Sequence, residues 1–474
     1  MSKWGNGVVS IGLLLGLTGP AAARTWQVGS SRADTVPSQV AGRVGNGDTV
    51  LIDPGTYADV CCWRANDLVL EGNGGMARLD ATGMELAEDK AIWVIKGRNA
   101  TVSGIEFLNA SCPDQNGAGI RQEGTNLTIR YCLFHDNEDG ILAGADSLSD
   151  ILIEFSEFRH NGFGDGYSHN MYIGNIRTFT LRYCWSHLAR VGHQVKSRAR
   201  NNNILYNRIM DEDTGYASRE IDLPNAGRSV IVSNLIQKGT QAENSNMIGF
   251  GLEGIAAGHD TQLFCVNNTM VNSRQPTGPF VALQPGTRAL LVNNTCFGAG
   301  EIVRNGHHAG TNNWLPTNHS GADSLQHSIL GADPGLVNRA LYDYHLSGVS
   351  PCIDSGVLPD SELTPVCQYV HPCDRELRPE QGMMDIGAYE YGSTPISDRA
   401  APSSRATVRP NPFVTFARVP GQDRRWFTVR DALGRYRGEY RGDRVGLDLP
   451  AGVYYLTTTQ GNIPLRIVKA GTGK

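Results

Sequence analysis

The sequence Leu127-Thr-Ile-Arg-Tyr-Cys132 returns as Ile151-Leu-Ile-Glu-Phe-Ser156 and again as Phe179-Thr-Leu-Arg-Tyr-Cys184. Later copies end at Asn207, Asn234, Asn268 and Asn294, so that the steps between the copies are 24, 28, 23, 27, 34 and 26 residues. A period of this size predicts a solenoid, in which each coil buries its apolar face by stacking on its neighbours. Short runs of Val, Ile, Phe and Thr between Gly and Asn indicate strands rather than helices.

The repeated asparagines predict a ladder at one turn of the solenoid. Their amides would bond from coil to coil at the strand spacing of ~4.8 Å. This ladder explains the Asn-Asn-Thr triplets better than glycosylation does. An unrelated β-sandwich is the alternative interpretation of the same strands.

Composition excludes several classes of protein. The chain has 474 residues, 56 of them Gly, and only 19% are charged, which argues against coiled coils, helical bundles and charge-driven disorder. The net charge is −5 and no basic run occurs, so we expect no nucleic-acid partner. Of the 42 basic residues only seven are Lys, which leaves 35 Arg.

The first 23 residues predict a signal peptide. Lys3 precedes an apolar run from Val8 to Leu17, and residues 21–23 are all Ala. We therefore expect an exported, soluble protein. Ten Cys suit an oxidising compartment, and a bridge among three late ones is expected. None has the spacing of a zinc site. The three late cysteines are Cys352, Cys367 and Cys373.

The repeat resembles the right-handed parallel β-helix of pectate lyases, alginate lyases, chondroitinase B and related secreted proteins that act on polysaccharides. Residues 47–57 resemble the first coil of that fold, and residues 350–356 with 385–391 resemble its closing segment. The resemblance implies an all-β fold, with a parallel β-helix domain over residues 24–391.

The tail has a different character. Residues 392–404 are rich in Ser, Pro and small residues and predict a linker, and the alternating strands of residues 405–474 predict a small β-sandwich. The tail resembles the immunoglobulin-like C-terminal sorting domain of type IX secretion cargo. That resemblance implies the bacterial secretion machinery as a partner, and either surface retention or release. A carbohydrate-binding or spacer module is the alternative.

Three consecutive coils carry a dense set of titratable residues. The stretches are His169-Asn-Met-Tyr172, His193-Gln-Val-Lys196 and Arg219-Glu-Ile-Asp222, whose middle apolar residues should point inward. The alternation then predicts two outward columns, with the two His and Arg219 at the strand starts. The first column is Asn170, Gln194 and Glu220, and the second is Tyr172, Lys196 and Asp222.

Lys196 is the sharpest clue, because it is the only Lys between Lys96 and Lys238. A Lys near Arg198 and Arg219 can serve as a base, whereas Arg stays protonated. The stretch from Lys196 with Arg219 one coil later resembles the Lys/Arg pair of chondroitinase B and the alginate lyases. The resemblance implies β-elimination from a uronic acid, with Lys196 as base and Arg219 assisting the leaving oxygen.

The remaining roles stay open at this point. Arg198, Arg200 or Gln194 would neutralise the substrate carboxylate, because the acidic residues that hold calcium in those lyases are not evident here. His193, His169 and Tyr172 are alternative acid–base groups. Glu220 and Asp222, or the loop residues 211–213, would serve a hydrolase. C5-epimerisation, a non-catalytic glycan-binding or adhesin role, and a mere ion ladder are further alternatives. We expect a monomer that needs no cofactor and has an acidic polysaccharide as partner.

Overall fold

A computed structural model describes residues 23–379, 381–393, 415–418, 426–431, 436–441, 444–446, 448–458 and 465–469. The predicted signal peptide lies outside these residues except for its last one. Within them the chain is almost entirely β, with a short helix at Ser38–Ala41 and a 3₁₀ helix at Arg339–Leu341. None of the described helices is long and apolar enough to cross a membrane.

Three long parallel sheets form the main body, and each coil except those at the two ends contributes one strand to each sheet in the order A, B, C. The first full coil, for example, runs through Thr49–Ile52, Gly55–Tyr57 and Cys61–Trp63. Sheet A contains Thr25–Val28, Thr49–Ile52, Val69–Gly72, Ala100–Ser103, Leu127–Arg130, Asp146–Glu154, Ile176–Arg182, Asn201–Leu205, Arg228–Val232, Gln262–Val266, Arg288–Val292, His307–Thr311 and Leu325–Gln326. Sheet B contains Gly55–Tyr57, Ala77–Asp80, Ile105–Leu108, Leu133–His135, Glu157–Arg159, Trp185–His187, Arg208–Met210, Leu235–Lys238, Thr269–Asn272, Thr295–Gly298, Trp314–Pro316 and Ile329–Gly331. Sheet C contains Cys61–Trp63, Ala91–Ile95, Ala118–Gln122, Asp139–Ala143, Met171–Ile173, Val195–Ser197, Ile221–Leu223, Ile248–Phe250, Val281–Leu283 and Val303–Arg304. This is the right-handed parallel β-helix that the repeat predicts.

The interior is filled by side chains that stack from coil to coil. Phe107, Phe134 and Phe158 are fully buried and stack with ring centroids 4.9 Å and 4.6 Å apart. Parallel strands in register place equivalent residues of successive coils one above another, so a repeated Phe becomes a continuous aromatic column. Each coil is therefore stabilised by stacking its interior side chains on those of the coils next to it.

The predicted asparagine ladder is confirmed at the corner between sheets A and B. The Nδ2 atom of each Asn donates to Oδ1 of the Asn in the next coil. Asn207 donates to Asn234, Asn234 to Asn268 and Asn268 to Asn294, each at 3.0 Å. The ladder continues for one further rung to Asn313. Every rung also accepts a hydrogen bond from a backbone amide, so these buried amides are paired.

A closing segment covers the later coils. It includes two antiparallel hairpins and is fixed by a buried ion pair between Arg378 and Glu390 at 2.6 Å. Ser233 and Asn267 of the β-helix donate hydrogen bonds to its backbone carbonyls. The hairpin strands are Leu336–Asn338 with Asp343–Leu346, and Cys367–Val370 with Asp374–Leu377.

The expected disulfide bridge is not formed. Cys352 lies beside Thr295, Cys373 donates to the carbonyl of Ser156, and the Cys367 thiol lies next to Arg375. None of these three cysteines is in a disulfide. Each is packed against a different neighbour, which is why proximity along the chain does not bring them together.

The described part of the tail is one antiparallel sheet of four strands, Trp426–Asp431, Tyr436–Arg441, Gly452–Thr458 and Leu465–Lys469. Its buried residues, among them Phe427, Val429 and Leu456, form a cluster of their own. The two-layered sandwich and the domain boundaries stay predictions, and most of the predicted linker lies outside the described residues.

Candidate active site

The sequence predicts the register of the polar column correctly. On sheet C, Tyr172 is opposite Lys196 and Lys196 is opposite Asp222, with Leu142 before and Gly249 after them. Met171, Val195 and Ile221 are fully buried inside the β-helix, as the alternation predicts. The three polar residues therefore occupy successive coils on the outer face of one sheet.

Lys196 lies between two carboxylates. Its Nζ atom is 3.1 Å from Oε1 of Glu253 and 3.6 Å from Oδ2 of Asp222, and its side chain is 10% exposed. The same Nζ lies 5.9 Å from the centre of the Tyr172 ring, a cation–π distance. The amine is thus partly desolvated while one side of it still reaches solvent.

Arg198 is held by three separate partners. Its Nε donates to the hydroxyl of Tyr172 at 2.8 Å, one terminal nitrogen donates to Asn225 and the other donates to Glu253, both at 2.6 Å. Since the hydroxyl of Tyr172 accepts from the guanidinium, its own proton remains available for donation. Lys196 and Arg198 together hold the Glu253 carboxylate.

Arg219 belongs to the next coil and pairs with Asp222. Its terminal nitrogen donates to Oδ1 of Asp222 at 2.9 Å, three residues further along the same segment. Its Nε is buried and has no hydrogen-bond partner among the described residues. Arg219 therefore retains a donor nitrogen without a partner, whereas all three nitrogens of Arg198 already donate hydrogen bonds.

The two predicted histidines are buried and stack on each other with ring centroids 4.8 Å apart. Nδ1 of His169 accepts from the backbone amide of His193, and Nδ1 of His193 accepts from the amide of Arg219. Burial holds the pKa of both far below the usual range, so both are neutral and carry the proton on Nε2. Nε2 of His193 is 3.4 Å from Oδ2 of Asp222.

The first predicted outward column is wrong. Asn170, Gln194 and Glu220 are fully buried. The alternation between faces holds only inside a strand, and these residues precede strands that begin at Met171, Val195 and Ile221. At that corner the chain turns from sheet B to sheet C, and their side chains fill the interior of the turn. None of these three side chains is accessible to a substrate.

These corner residues form a second buried ladder. Asn170 donates to Gln194 at 2.7 Å, and Gln194 donates to Asp211 at 3.0 Å. Asp211 is fully buried, although the sequence predicts that it lies in a solvated loop. Glu220 pairs with Lys238 at 3.0 Å, and Lys238 also donates to the carbonyl of Ser218. Burial holds the pKa of Glu220 well above its usual range.

Asp222 and Glu253 have opposite electrostatic environments. Burial raises the pKa of the Asp222 carboxyl, and the charges of Arg219 and Lys196 limit the rise. Burial also opposes ionisation of Glu253, but hydrogen bonds from Arg198 and Lys196 prevail and hold its pKa below the usual range. Glu253 is 44% exposed, whereas the Asp222 side chain is fully buried. Only Glu253 can exchange its partners with a molecule from solvent.

Sequence reasoning missed Glu253 and Asn225. Both follow strands of coils later than that of Lys196. The backbone amide of Glu253 donates to the carbonyl of Pro224, and this hydrogen bond holds Glu253 next to the site. One signal was available: Glu253 is the only acidic residue between Glu243 and Asp260. Arg200, by contrast, is exposed and lies where the chain turns into the strand Asn201–Leu205 of sheet A.

No group of His, Cys, Asp and Glu among the described residues could hold a metal ion. The acidic residues nearest to Lys196 are already paired with Lys or Arg. The residues present therefore do not form a calcium site of the kind found in the lyases that the sequence resembles.

The fold and the site together define a class: a parallel β-helix with a partly buried cluster of Lys, Arg, Tyr and carboxylates on one face. The solved structure of the pectate lyase Pel9A superposes with a TM-score of 0.52 at 14% identity, over 78% of this chain and 96% of that one. A PL6 alginate lyase in complex with a trisaccharide matches with a TM-score of only 0.33 at 14% identity, over 71% and 69% of the two chains. No family model and no curated protein sequence matches the chain. The likeness to Pel9A supports the parallel β-helix fold.

Proposed function

We propose that the protein is a polysaccharide lyase that cleaves a uronic-acid polymer by β-elimination, with Lys196 as the base. The observation that carries the proposal is that Lys196 and Arg198 both donate hydrogen bonds to the Glu253 carboxylate, which lies between them. A uronate carboxylate has the same charge and shape, so a substrate can take the place of this exposed side chain. The fold of a pectate lyase supports the proposal by analogy.

Elimination requires a base and stabilisation of the negative charge that develops. The proton on C5 of a uronic acid is weakly acidic, and donors around the carboxylate lower the barrier to its removal. Arg198 would hold the substrate carboxylate after it has displaced Glu253. The amine of Lys196, acting in its neutral form, would accept the C5 proton, and the C4–O bond would break as the leaving oxygen takes up a proton. The guanidinium of Arg219, whose side chain is 17% exposed, and the hydroxyl of Tyr172 are the donors for the leaving oxygen.

A hydrolase is the second candidate, because Asp222 and Glu253 are two carboxylates whose pKa values are shifted in opposite directions. This split is typical of an acid–base pair. The complete burial of Asp222 argues against it, since a general acid must reach the glycosidic oxygen. Elimination is therefore the better proposal.

The decisive experiment screens pectate, alginate and glycosaminoglycans for unsaturated products by ultraviolet absorbance. We expect activity in the wild type, and a loss of about 10²- to 10⁴-fold in kcat for Lys196→Ala. Arg177→Ala, an ion-paired residue on sheet A, is the control. Unchanged kcat in Lys196→Ala would remove Lys196 from the mechanism, and new reducing ends without absorbance would indicate hydrolysis.

A second variant tests whether the substrate carboxylate binds where Glu253 lies. Glu253→Gln removes the competing charge but keeps the shape, so we expect a lower KM for polyuronates. An increased KM would contradict the idea that substrate displaces Glu253.

We further propose export through an outer-membrane route, with the tail as the sorting module, and a monomeric enzyme that needs no cofactor. The resemblance of residues 405–474 to sorting domains supports the first part. Detection of the full chain and of a chain without its tail in the culture medium tests it.

A further inference from the structure

Glu253 lies in a loop that joins a strand of sheet C to the next strand of sheet A. Both ends of this loop are fixed to the preceding coil. The amide of Gly251 donates to the carbonyl of Leu223, and the carbonyl of Asp260 accepts from the amide of Gly227, both at 2.8 Å. The middle of the loop can therefore change its position without a shift of the strands on either side.

The middle of the loop, residues 252–257, is held by three hydrogen bonds to one turn of the preceding coil and by the Glu253 carboxylate. The amide of Glu253 donates to the carbonyl of Pro224. The next residue of the turn, Asn225, accepts from the amide of Ala256 and donates through its side chain to the carbonyl of Gly254. None of the side chains in this segment is buried. Segments with few buried apolar contacts are the ones that open locally in a folded protein.

Glycines with a positive φ lie in the segment and on both sides of it. The angle is +74° at Gly251, +101° at Gly254 and +78° at Gly258. A Cβ on Gly254 would meet no atom within 4 Å, so its backbone conformation, and not a lack of space, explains a glycine there. The observed position of the segment thus depends on a conformation that other residues adopt only with strain.

Leu252 closes a second side of the candidate active site. Gly249 is opposite Asp222 in the register of sheet C and has no side chain to fill the space in front of it. A Cβ at this position would lie 3.1 Å from Cδ1 of Leu252, 3.1 Å from Cδ of Arg219 and 2.9 Å from Oδ1 of Asp222. Leu252 therefore lies beside the ion pair of Arg219 and Asp222 and contributes to the burial of both.

We propose that residues 252–257 form a latch, which closes the candidate active site in the absence of polymer and is released by a uronate unit of the substrate. The ligand class rests on the proposed function. The uronate carboxylate replaces that of Glu253 at Lys196 and Arg198, and Leu252 moves away from Arg219 as the segment detaches. A neutral sugar brings no charge to the two cations, so the latch stays closed.

Hydrogen–deuterium exchange of the full-length protein measures this release without cleavage. The probes are galacturonate, glucuronate and mannuronate monomers at high concentration, which have no glycosidic bond to break, with galactose at the same ionic strength as the neutral control. We expect at least one uronate to speed exchange at the amides of Glu253 and Ala256 about tenfold, because two exposed ion pairs of the carboxylate are lost. Galactose should leave the exchange unchanged.

Gly254→Ala loosens the latch without changing a residue that meets the substrate. The added Cβ is strained but collides with nothing, so the variant should fold, and its segment should exchange faster than that of the wild type in the absence of ligand. We expect a lower KM for the polymer, since a larger fraction of the protein is open, and an unchanged kcat. Gly74→Ala is the control, at a glycine with a φ of +75° and open space in a turn of an early coil, and it should match the wild type.

A further variant guards against a folding defect in Gly254→Ala. Glu253→Gln lacks the charge that holds the latch, so its segment should exchange fast both with and without a uronate. The outcomes separate the latch from the proposed function. Exchange that a uronate accelerates, in a protein that forms no unsaturated products, would support the latch and refute the lyase. Exchange that none of the three uronates accelerates, or a wild-type KM in Gly254→Ala, would overturn the latch whether or not the protein cleaves a polymer.

Discussion

Single residues of the titratable patch differ in their access to solvent. Glu253 is 44% exposed and the Lys196 side chain 10%, whereas His169 and Glu220 are almost completely buried and hydrogen-bonded. The histidines accept backbone hydrogen bonds through Nδ1, and in this way they fix the starts of the strands that carry Lys196 and Asp222. Their role at this site is to position neighbouring groups.

The buried histidines predict a loss of stability in acid. The pKa of His193 is lowered in the folded protein, so the unfolded chain takes up the proton first as the pH falls below ~6.5, and the free energy of unfolding decreases. We expect this residue alone to lower the free energy of unfolding between pH 6.5 and pH 5, by at most about 1.5 kcal/mol.

Urea denaturation at pH 7 and pH 5 measures this effect. His193→Asn keeps an acceptor for the amide of Arg219 but cannot be protonated, so its free energy of unfolding should fall less than that of the wild type. His307→Asn, at an exposed position, is the control and should follow the wild type. An identical pH dependence in all three proteins would show that His193 is protonated in the folded state.

Individual elements are held in register by ladders of amides at two corners of the coil. The ladder between sheets A and B is regular, with one Asn in each rung from Asn207 to Asn313. The ladder between sheets B and C changes along the axis from Asn170 to Gln194 and then to Asp211. The charged member, Asp211, accepts from Gln194, which precedes Lys196 by two residues, so the fold and the site share this corner.

Removal of one rung should destabilise the coils on both sides. Asn268→Ala leaves the amide of Asn234 and a carbonyl without partners in a buried corner. We expect a loss of about 3 kcal/mol in the free energy of unfolding, measured by urea denaturation. Asn203→Ala, on a partly exposed outward position of sheet A, should change it by less than about 0.5 kcal/mol. Similar effects of the two substitutions would show that the ladder adds nothing to stability.

At the scale of the whole molecule, the closing segment belongs to the β-helix and the tail has a core of its own. Arg378 and Glu390 are buried, and carbonyls of residues 385–388 accept hydrogen bonds from later coils. Among the described residues, Phe427 and Val429 belong to a cluster made of tail residues. A chain that ends at residue 393 should therefore unfold at the same urea midpoint as the full chain and keep its activity.

A shorter chain provides the contrast. Ending the chain at residue 332 removes the closing segment and leaves Ser233 and Asn267 without their acceptors, so we expect a lower midpoint and aggregation. A loss of stability in the chain that ends at 393, equal to that of the shorter chain, would mean that the tail is part of the same folding unit.

The sequence by itself determined the fold and the register of the site. A repeat of short apolar runs can bury its surface only by stacking, and a fixed step between copies places Tyr172, Lys196 and Asp222 in one column. The first outward column, the solvated loop at Asp211 and the disulfide bridge were predicted wrongly, because side-chain direction at a corner and proximity across coils depend on how the turns pack. Only the tertiary structure brought Glu253 from a later turn onto Lys196 and Arg198, since that contact spans 57 residues and follows no period in the sequence.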